Sequence, residues 1–244
     1  MSDDFSWARS APAIAAREVI INWILGPLVD LYTRRRVLGR ESLEQLSAPV
    51  IFVANHASHV DAPTILRALP RSWRRRTAMA AAADYFYRRP LRAFAVSLAF
   101  NTVAVARKGV GTQDATSELA ALIAGGWSLV IFAEGTRSRD GNIGRLHSGA
   151  AVLAAEHDLP IVPVYVHGTH GVMPPGHRWM RWTRVGRRPR RHPIEVRFGP
   201  PIRPGDGEHR TDVMERVRLF YDASGAVTTP DKRILAGRRR SAPV

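Results

Sequence analysis

Short, mostly apolar runs alternate along the chain with segments whose apolar residues recur at helical spacing. The runs predict strands at residues 49–54, 102–106, 128–132 and 160–166, and a half-exposed strand is predicted at residues 194–198, where apolar and charged residues alternate. The predicted helices are residues 62–69, 91–100, 113–124, 149–157 and 211–221. Strands that are apolar throughout are buried on both faces, as they are in a parallel sheet whose crossovers are helices. The pattern therefore predicts an α/β fold with a mostly parallel central sheet covered by helices.

The composition fits one such domain, because 244 residues with 45% hydrophobic side chains suffice for a single α/β core. We expect this domain to span residues 39–223, after an N-terminal helical segment at 1–38 and before a basic, disordered tail at 224–244. The chain has no cysteine, which excludes disulfides, thiolate metal sites and cysteine nucleophiles.

The formal net charge is +15, and only Lys108 and Lys232 are lysines. Arginine binds phosphate through two donors, so the charge predicts an anionic partner.

The most apolar part of the N-terminal segment is residues 19–32. A membrane-spanning helix needs about 20 apolar residues, and this stretch is shorter and contains Asn22, Pro27 and Asp30. It predicts an interfacial helix or helical hairpin bent at Pro27, with arginines on both flanks. An amphipathic helix packed on the domain accounts for the same residues. The acidic start of the chain predicts no secretory leader.

A histidine and an aspartate lie between a predicted strand and a predicted helix. His56 follows the strand at 49–54, and Asp61 precedes the helix at 62–69. Side chains on such a turn point out of the sheet, so His56 is a candidate general base and Asp61 the carboxylate that orients it. The chain has neither a Gly-x-Ser-x-Gly elbow nor a cysteine. We therefore expect a substrate hydroxyl to attack an ester or thioester carbonyl directly.

Capping and metal binding are the two alternatives to catalysis at this turn. Ser58 and Asp61 have the spacing of a capping box, with Ser58 as the N-cap of the helix. His56, His59 and Asp61 could instead form a metal site of two histidines and one carboxylate. Capping does not account for His56, and the chain offers no further ligand cluster, so the residues favour catalysis over both.

A second polar cluster, residues 134–138, follows the predicted strand at 128–132. Gly135 lets the backbone approach a phosphate, and Arg137 can grip it through its two-pronged guanidinium. Glu134 can orient Arg137 or accept a hydrogen bond from a substrate hydroxyl, although a simple surface ion pair is also common. Arg107 follows another predicted strand. Because sites in parallel sheets form at the carboxyl ends of strands, we expect the three clusters at one edge.

The order of these clusters resembles the glycerolipid acyltransferases, whose best-known members acylate 1-acylglycerol 3-phosphate (lysophosphatidic acid). The arrangement of Asn55, His56 and Asp61 is similar to the first motif of that family, and residues 134–138 are similar to the third. Arg107 resembles the arginine that closes the second motif, and residues 161–164 resemble the fourth. The resemblance covers roughly residues 39–201, and it leaves the predicted fold unchanged.

The resemblance implies that His56 is the base and Asp61 its partner. It assigns six residues to substrate and acceptor-phosphate binding: Asn55, Arg107, Glu134, Gly135, Thr136 and Arg137. It implies transfer of a fatty acyl group from acyl-CoA or acyl carrier protein to a lysophospholipid in phospholipid biosynthesis, without a metal or other cofactor. Departures from the family pattern, at Ala133, Asn101, Ala104 and His147, leave the acceptor and the acyl-chain length open. Glycerol 3-phosphate, another lysolipid or an acylated amine are alternative acceptors.

Residues 178–184 interleave tryptophan with arginine, and residues 187–191 add four more arginines. Tryptophan suits the headgroup level of an anionic membrane, which would place the protein at the cytoplasmic face as a peripheral or monotopic protein. Nucleic-acid binding and a solvated basic loop are the alternatives. No nucleic-acid-binding motif accompanies the stretch, so an anionic membrane surface is the predicted partner and nucleic acid is not expected. A non-catalytic basic binding protein remains the rival hypothesis of a different class.

Overall fold

The computed structural model describes residues 6–82, 90–105 and 112–228. Within these residues seven strands form one sheet in the order β1-β9-β6-β2-β5-β3-β4, and β7 and β8 form a separate hairpin. The strands are β1 (Thr33–Leu38), β2 (Ile51–Ala54), β3 (Thr77–Ala82), β4 (Thr102–Val105), β5 (Ser128–Phe132), β6 (Ile161–His167), β7 (Thr183–Val185), β8 (Arg188–Arg190) and β9 (His192–Phe198). The helices are α1 (Ala11–Val19), α2 (Gly26–Tyr32), α3 (Asp61–Ala68), α4 (Arg71–Arg74), α5 (Pro90–Phe100), α6 (Thr112–Ala124), α7 (Gly149–Glu156), α8 (Thr169–Val172) and α9 (Arg210–Ala223).

The sheet is mostly parallel, which confirms the predicted fold class. Strands β2 to β6 all run in one direction. Strand β9 is antiparallel to β6, and β1 is parallel to β9. Thr33 pairs with His192 at the start of both strands, and Glu195 pairs with His167 at the end of β6. The reversed pair β1 and β9 therefore begins at the edge where β6 ends.

Strand β2 lies in the middle of the core, and all four of its side chains are fully buried. Because side chains alternate across a strand, Ile51 and Val53 pack on the face covered by α6, α7 and α9. Phe52 and Ala54 pack on the opposite face, which α3 covers. Burial on both faces explains why the sequence of β2 is apolar throughout.

The N-terminal segment contains a continuous helical run in which the π-helical residues Ile20–Leu25 join α1 to α2. The backbone stays helical through Gly26, and the π segment that precedes Pro27 is the irregularity in this run. Arg67 of α3 donates from Nη1 to the carbonyl of Asn22 at 2.9 Å and pairs with Asp30 at 3.2 Å. A Cβ on Gly26 would lie 2.5 Å from the backbone carbonyl oxygen of Ile21, which explains the glycine.

The residues that follow this run, Thr33–Leu38, form the edge strand of the sheet. The prediction placed these residues in a helical segment. It missed the strand because three consecutive arginines do not predict one. Pairing with β9 accounts for their conformation. No helix within the described ranges is long and apolar enough to cross a bilayer.

Candidate active site

His56 and Asp61 meet at the carboxyl end of β2. His56 lies on the turn that leaves the strand, and Asp61 is the first residue of α3. His56 Nδ1 lies 2.9 Å from Asp61 Oδ2. The Asp61 side chain is fully buried, whereas that of His56 keeps 20% of its surface exposed. Because Asp61 engages Nδ1, the Nε2 atom is the ring nitrogen left to receive a proton from a substrate.

Asp61 Oδ2 also accepts hydrogen bonds from the backbone N–H groups of Ala57 and Ser58, both at 2.8 Å. The bond from Ser58 is one half of the alternative capping box. The other half does not form, because the N-cap residue is Val60, which makes no side-chain cap. Ser58 Oγ donates instead to the carbonyl of Met173 at 2.8 Å. The aspartate thus holds both the imidazole and the turn that precedes its own helix.

The ring of His56 stacks on Phe132, with 4.0 Å between ring centroids and an interplanar angle of 20°. Phe132 is the last residue of β5 and pairs with Ala54 of β2. The stacking and the bond to Asp61 together restrict the imidazole to one orientation. Sequence reasoning missed Phe132, whose only signal is its position at the end of the strand that precedes the second polar cluster.

Glu134 ties the two polar clusters together. Its Oε1 accepts the backbone N–H of His56 at 2.8 Å, and its Oε2 accepts that of Gly144 at 2.8 Å. The N–H of Ser138 donates to the carbonyl of His56 at 2.7 Å, which also joins the loop after β5 to the turn after β2. Burial raises the pKa of the Glu134 carboxyl, while the two backbone hydrogen bonds oppose that shift. Both oxygens accept backbone N–H groups, so Glu134 positions the turn that carries His56.

Asn55 is also engaged within the protein. Its Nδ2 donates to the carbonyl of Val166 at 3.0 Å, and its Oδ1 accepts the N–H of Val166 at 2.7 Å. The side chain is buried and extends the pairing of β2 with β6 beyond Ala54. The resemblance implied substrate binding for Asn55, which stays a prediction, and the geometry shows that both groups of its side-chain amide bond to the backbone of Val166.

Arg137 is half-buried and makes no hydrogen bond or ion pair with any residue in the described ranges. It follows Gly135, whose φ of 68° lies in the left-handed region, and Thr136, which is exposed. An uncommitted guanidinium at the end of a strand can bind an anion through two donors. Arg137 is therefore available to an anionic ligand.

His59, although partly exposed to solvent, reports the positive charge around this edge. Its pKa is lowered from 6.5 to about 4, mainly by loss of solvation and then by the positive charges of Arg137 and His56. Arg92, an exposed residue of α5, contributes to the same shift of the pKa. Sequence reasoning missed Arg92, because a single arginine on a helix carries no signal of its own.

Arg107 lies outside the described residues, so its role stays a prediction. Within the described ranges, no group of three or more histidine, cysteine, aspartate or glutamate side chains is arranged to hold a metal ion. The alternative metal site of His56, His59 and Asp61 therefore has no support in the geometry. The described residues thus hold an oriented imidazole and, at the end of the neighbouring strand, a cation without a protein partner, and such an arrangement can activate a hydroxyl on a phosphate-bearing molecule.

A family model described as Acyltransferase matches residues 34–167, more than half of the chain. The chain belongs to this acyltransferase family. The matched range contains nearly all of β1, the turn of His56 and Asp61, the cluster at 134–138 and all of β6, so it covers the described site.

Individual relatives are consistent with this family. The chain is 31% identical over 141 residues to the chloroplastic 1-acyl-sn-glycerol-3-phosphate acyltransferase BAT2 of Brassica napus, covering 57% of this chain and 39% of that protein. It is 31% identical over 139 residues to the chloroplastic 1-acyl-sn-glycerol-3-phosphate acyltransferase LPAT1 of Arabidopsis thaliana, covering 57% of this chain and 37% of that protein. The chain thus spans about two fifths of the length of these two proteins.

The fold is shared with a solved structure, the 1-acyl-sn-glycerophosphate acyltransferase PlsC of Thermotoga maritima. The TM-score is 0.62 at 22% sequence identity, and the match covers 91% of this chain and 84% of that one. This likeness supports the α/β architecture.

Proposed function

We propose that the protein transfers a fatty acyl group from an acyl thioester to the free hydroxyl of lysophosphatidic acid, which yields phosphatidic acid. The observation that carries the proposal is the His56–Asp61 pair, with Nδ1 to Oδ2 at 2.9 Å, on the same sheet edge as the uncommitted Arg137. The names of the relatives from Brassica napus and Arabidopsis thaliana support this acceptor. The donor is acyl-CoA or acyl carrier protein.

In this mechanism His56 Nε2 takes the proton of the acceptor hydroxyl as its oxygen attacks the thioester carbonyl. Asp61 stabilises the imidazolium that forms. The tetrahedral intermediate collapses, the carbon–sulfur bond breaks, and the departing thiolate takes the proton from His56. An ester and a free thiol are the products, and the enzyme returns to its starting protonation state.

The oxyanion of that intermediate needs hydrogen-bond donors. The backbone N–H groups of Ala57 and Ser58 already donate to Asp61, and that of His56 donates to Glu134. We therefore propose donors other than these three amides. Arg137 binds the acceptor phosphate in our proposal, next to the backbone of Gly135 and Thr136.

A lipid acceptor resides in a bilayer, and the helical run of residues 11–32 offers a surface for it. Its exposed apolar side chains are Val19, Trp23, Ile24 and Leu31, and Trp23 is 79% exposed. We propose that this face contacts the membrane from the cytoplasmic side, where acyl thioesters are available, and that the protein is peripheral or monotopic.

A thiol-release assay with purified protein tests the proposal. The protein is incubated with acyl-CoA and, in turn, lysophosphatidic acid, glycerol 3-phosphate and lysophosphatidylcholine, and the lipid product is identified by mass. We expect thiol release to be fastest with lysophosphatidic acid and to be lost in His56→Ala. Faster thiol release with another acceptor would show that lysophosphatidic acid is not the preferred acceptor. Wild-type release by a folded His56→Ala protein would overturn the mechanism.

A further inference from the structure

Residues 174–191, which we call the Trp–Arg arm, connect α8 to β9 and include the hairpin of β7 and β8. From residue 176 onward the arm contains seven arginines and no acidic residue. None of these arginines forms an ion pair with an acidic side chain in the part of the chain that the structure describes. Trp179 is 59% exposed and Trp182 is 40% exposed. The arm thus presents uncompensated positive charge beside exposed aromatic surface.

The arm is docked on the end of the N-terminal helical run. Trp179 Nε1 donates to the hydroxyl of Tyr32 at 3.1 Å. The ring of Trp182 lies 5.2 Å from the ring of Tyr32, centroid to centroid. Tyr32 is the last residue of α2. The exposed tryptophans of the arm therefore adjoin the helical run that carries Trp23 and Leu31.

The base of the arm packs against the catalytic turn. Met180 of the arm shares one buried apolar cluster with Val60 of the turn, Val29 of α2 and Val172 of α8. The N–H of Arg181 donates to the carbonyl of Val172 at 3.0 Å. These contacts fix the position of the arm relative to the turn that carries the base.

A hydrogen bond from the turn itself strengthens this connection. Ser58 Oγ donates to the carbonyl of Met173, the residue just before the arm, at 2.8 Å. Ser58 also donates its backbone N–H to Asp61. The start of the arm is therefore two hydrogen bonds away from the carboxylate that orients His56.

We propose that the Trp–Arg arm is a docking surface for an anionic bilayer, held beside the catalytic turn. Tryptophan favours the headgroup level, and each arginine near an anionic leaflet adds electrostatic attraction. An exposed apolar stripe on the adjoining helical run favours lipid over nucleic acid, which would leave that stripe in water. The inference rests on the proposed function, because that function supplies the lipid acceptor. Vesicle binding, in contrast, is measured independently of activity.

The test is co-sedimentation of the full chain with vesicles of phosphatidylcholine alone or mixed with phosphatidylglycerol. Arg187→Gln/Arg188→Gln should weaken binding to the mixed vesicles about 30-fold, at about 1 kcal/mol per arginine. Trp179→Ala/Trp182→Ala should weaken binding to both kinds of vesicle. The matched controls are Arg203→Gln/Arg210→Gln for charge and Leu219→Ala/Val227→Ala for exposed apolar area, and these should bind as wild type does.

Circular dichroism and thermal melting establish that each variant is folded. If the folded arm variants bind mixed vesicles like the wild type, the proposal is overturned. It is also overturned if an oligonucleotide displaces the protein from the vesicles and its own binding depends more strongly on Arg187 and Arg188.

The activity assay gives a second readout. The tryptophan variant should lose a larger factor of its rate on acceptor embedded in vesicles than on a dispersed short-chain acceptor. Equal loss on both would overturn the proposal. If the wild type acylates no acceptor, the proposed function fails, and vesicle binding alone decides the role of the arm.

Discussion

The backbone N–H of His56 donates to Glu134 Oε1 at 2.8 Å, so a carboxylate on the loop after β5 holds the backbone of the histidine that we propose as the base. Glu134→Gln keeps the size of the side chain but has one acceptor oxygen where the carboxylate has two. One of the amides of His56 and Gly144 then loses its partner, which costs about 1–3 kcal/mol for a buried donor. We expect a lower kcat with little change in the acceptor KM, and a lower melting temperature. An unchanged kcat would show that Glu134 is not needed to position His56 for the reaction.

Asp61→Asn should cost activity through the orientation of the ring. The amide cannot stabilise an imidazolium as a carboxylate does, so we expect kcat to fall by a factor on the order of 10²–10⁴. The wild-type Asp61 oxygen also accepts two backbone amides, so the variant should melt at a lower temperature. Measurement below the melting transition separates the two effects. A folded variant with wild-type kcat would exclude the proposed role of Asp61.

Arg137 should act on the acceptor. Arg137→Lys keeps the charge but loses the two-pronged contact, and Arg137→Ala loses both. We expect the alanine variant to lose about 1.5–3 kcal/mol in kcat/KM for the acceptor, with a smaller loss for lysine. The donor KM should stay near the wild-type value, and the loss should shrink for an acceptor without a phosphate. A rise in the acyl-CoA KM alone would assign Arg137 to the donor.

The pKa of His59 reports the positive charge near Arg137 and can be measured without an activity assay. Its pKa is lowered to about 4 by loss of solvation first and by Arg137 second, so Arg137→Ala should raise the midpoint part of the way toward 6.5. Glycerol 3-phosphate bound at Arg137 should raise it as well, because a nearby anion favours the imidazolium. The measurement is the pH dependence of the His59 ring signal in NMR. No change in either experiment would separate His59 from the phosphate site.

The lowered pKa of His59 also makes the free energy of unfolding depend on pH. The pKa of His59 is lower in the folded protein than the ordinary value of 6.5, so between about pH 4 and 6.5 the unfolded chain binds more protons there. The stabilising contribution is therefore present above pH 6.5 and is lost as the pH falls toward 4. His59→Gln should flatten the dependence of unfolding free energy on pH in this window, measured by chemical denaturation. The change should be modest, because His59 is partly exposed and solvent screens its charge.

Asn55→Asp distinguishes a positioning role from substrate binding. Aspartate can still accept the N–H of Val166, but it cannot donate to the Val166 carbonyl, which would then face a carboxylate oxygen. We expect a loss of stability of about 1–3 kcal/mol for this buried position. The control is Thr136→Val, an exposed change that should leave the melting temperature unaltered. If Asn55→Asp melts at the wild-type temperature but has a raised acceptor KM, Asn55 binds substrate.

The sheet could be predicted because its central strands carry a local signal. The strand predicted at 128–132 is observed as Ser128–Phe132, since burial on both faces requires apolar residues throughout. β1 could not be predicted from its own residues. Its conformation depends on pairing with β9, which lies far along the chain, and Arg34 and Arg36 are exposed on the edge strand. The reversed direction of β9 is equally a property of pairing and not of local sequence.

The site divides in the same way. The residue types and their place after a strand indicate a base and its carboxylate, and the structure brings His56 and Asp61 together. The sequence could not show which groups Asp61 and Glu134 hold, because those bonds depend on how the turn after β2 and the loop after β5 approach each other. Ser58 has the spacing of a cap, but its hydroxyl bonds to Met173, 115 residues away.

The reversal of β1 and β9 has a consequence for how such a fold can vary. Both strands begin at the edge where β6 ends, so the segments that lead into them arrive beside the turn that carries His56 and Asp61. An insertion before either strand lengthens the protein at this edge and leaves every parallel crossover unchanged. Since long surface insertions cost little free energy, the surroundings of the reacting groups can diversify while the core keeps its connectivity.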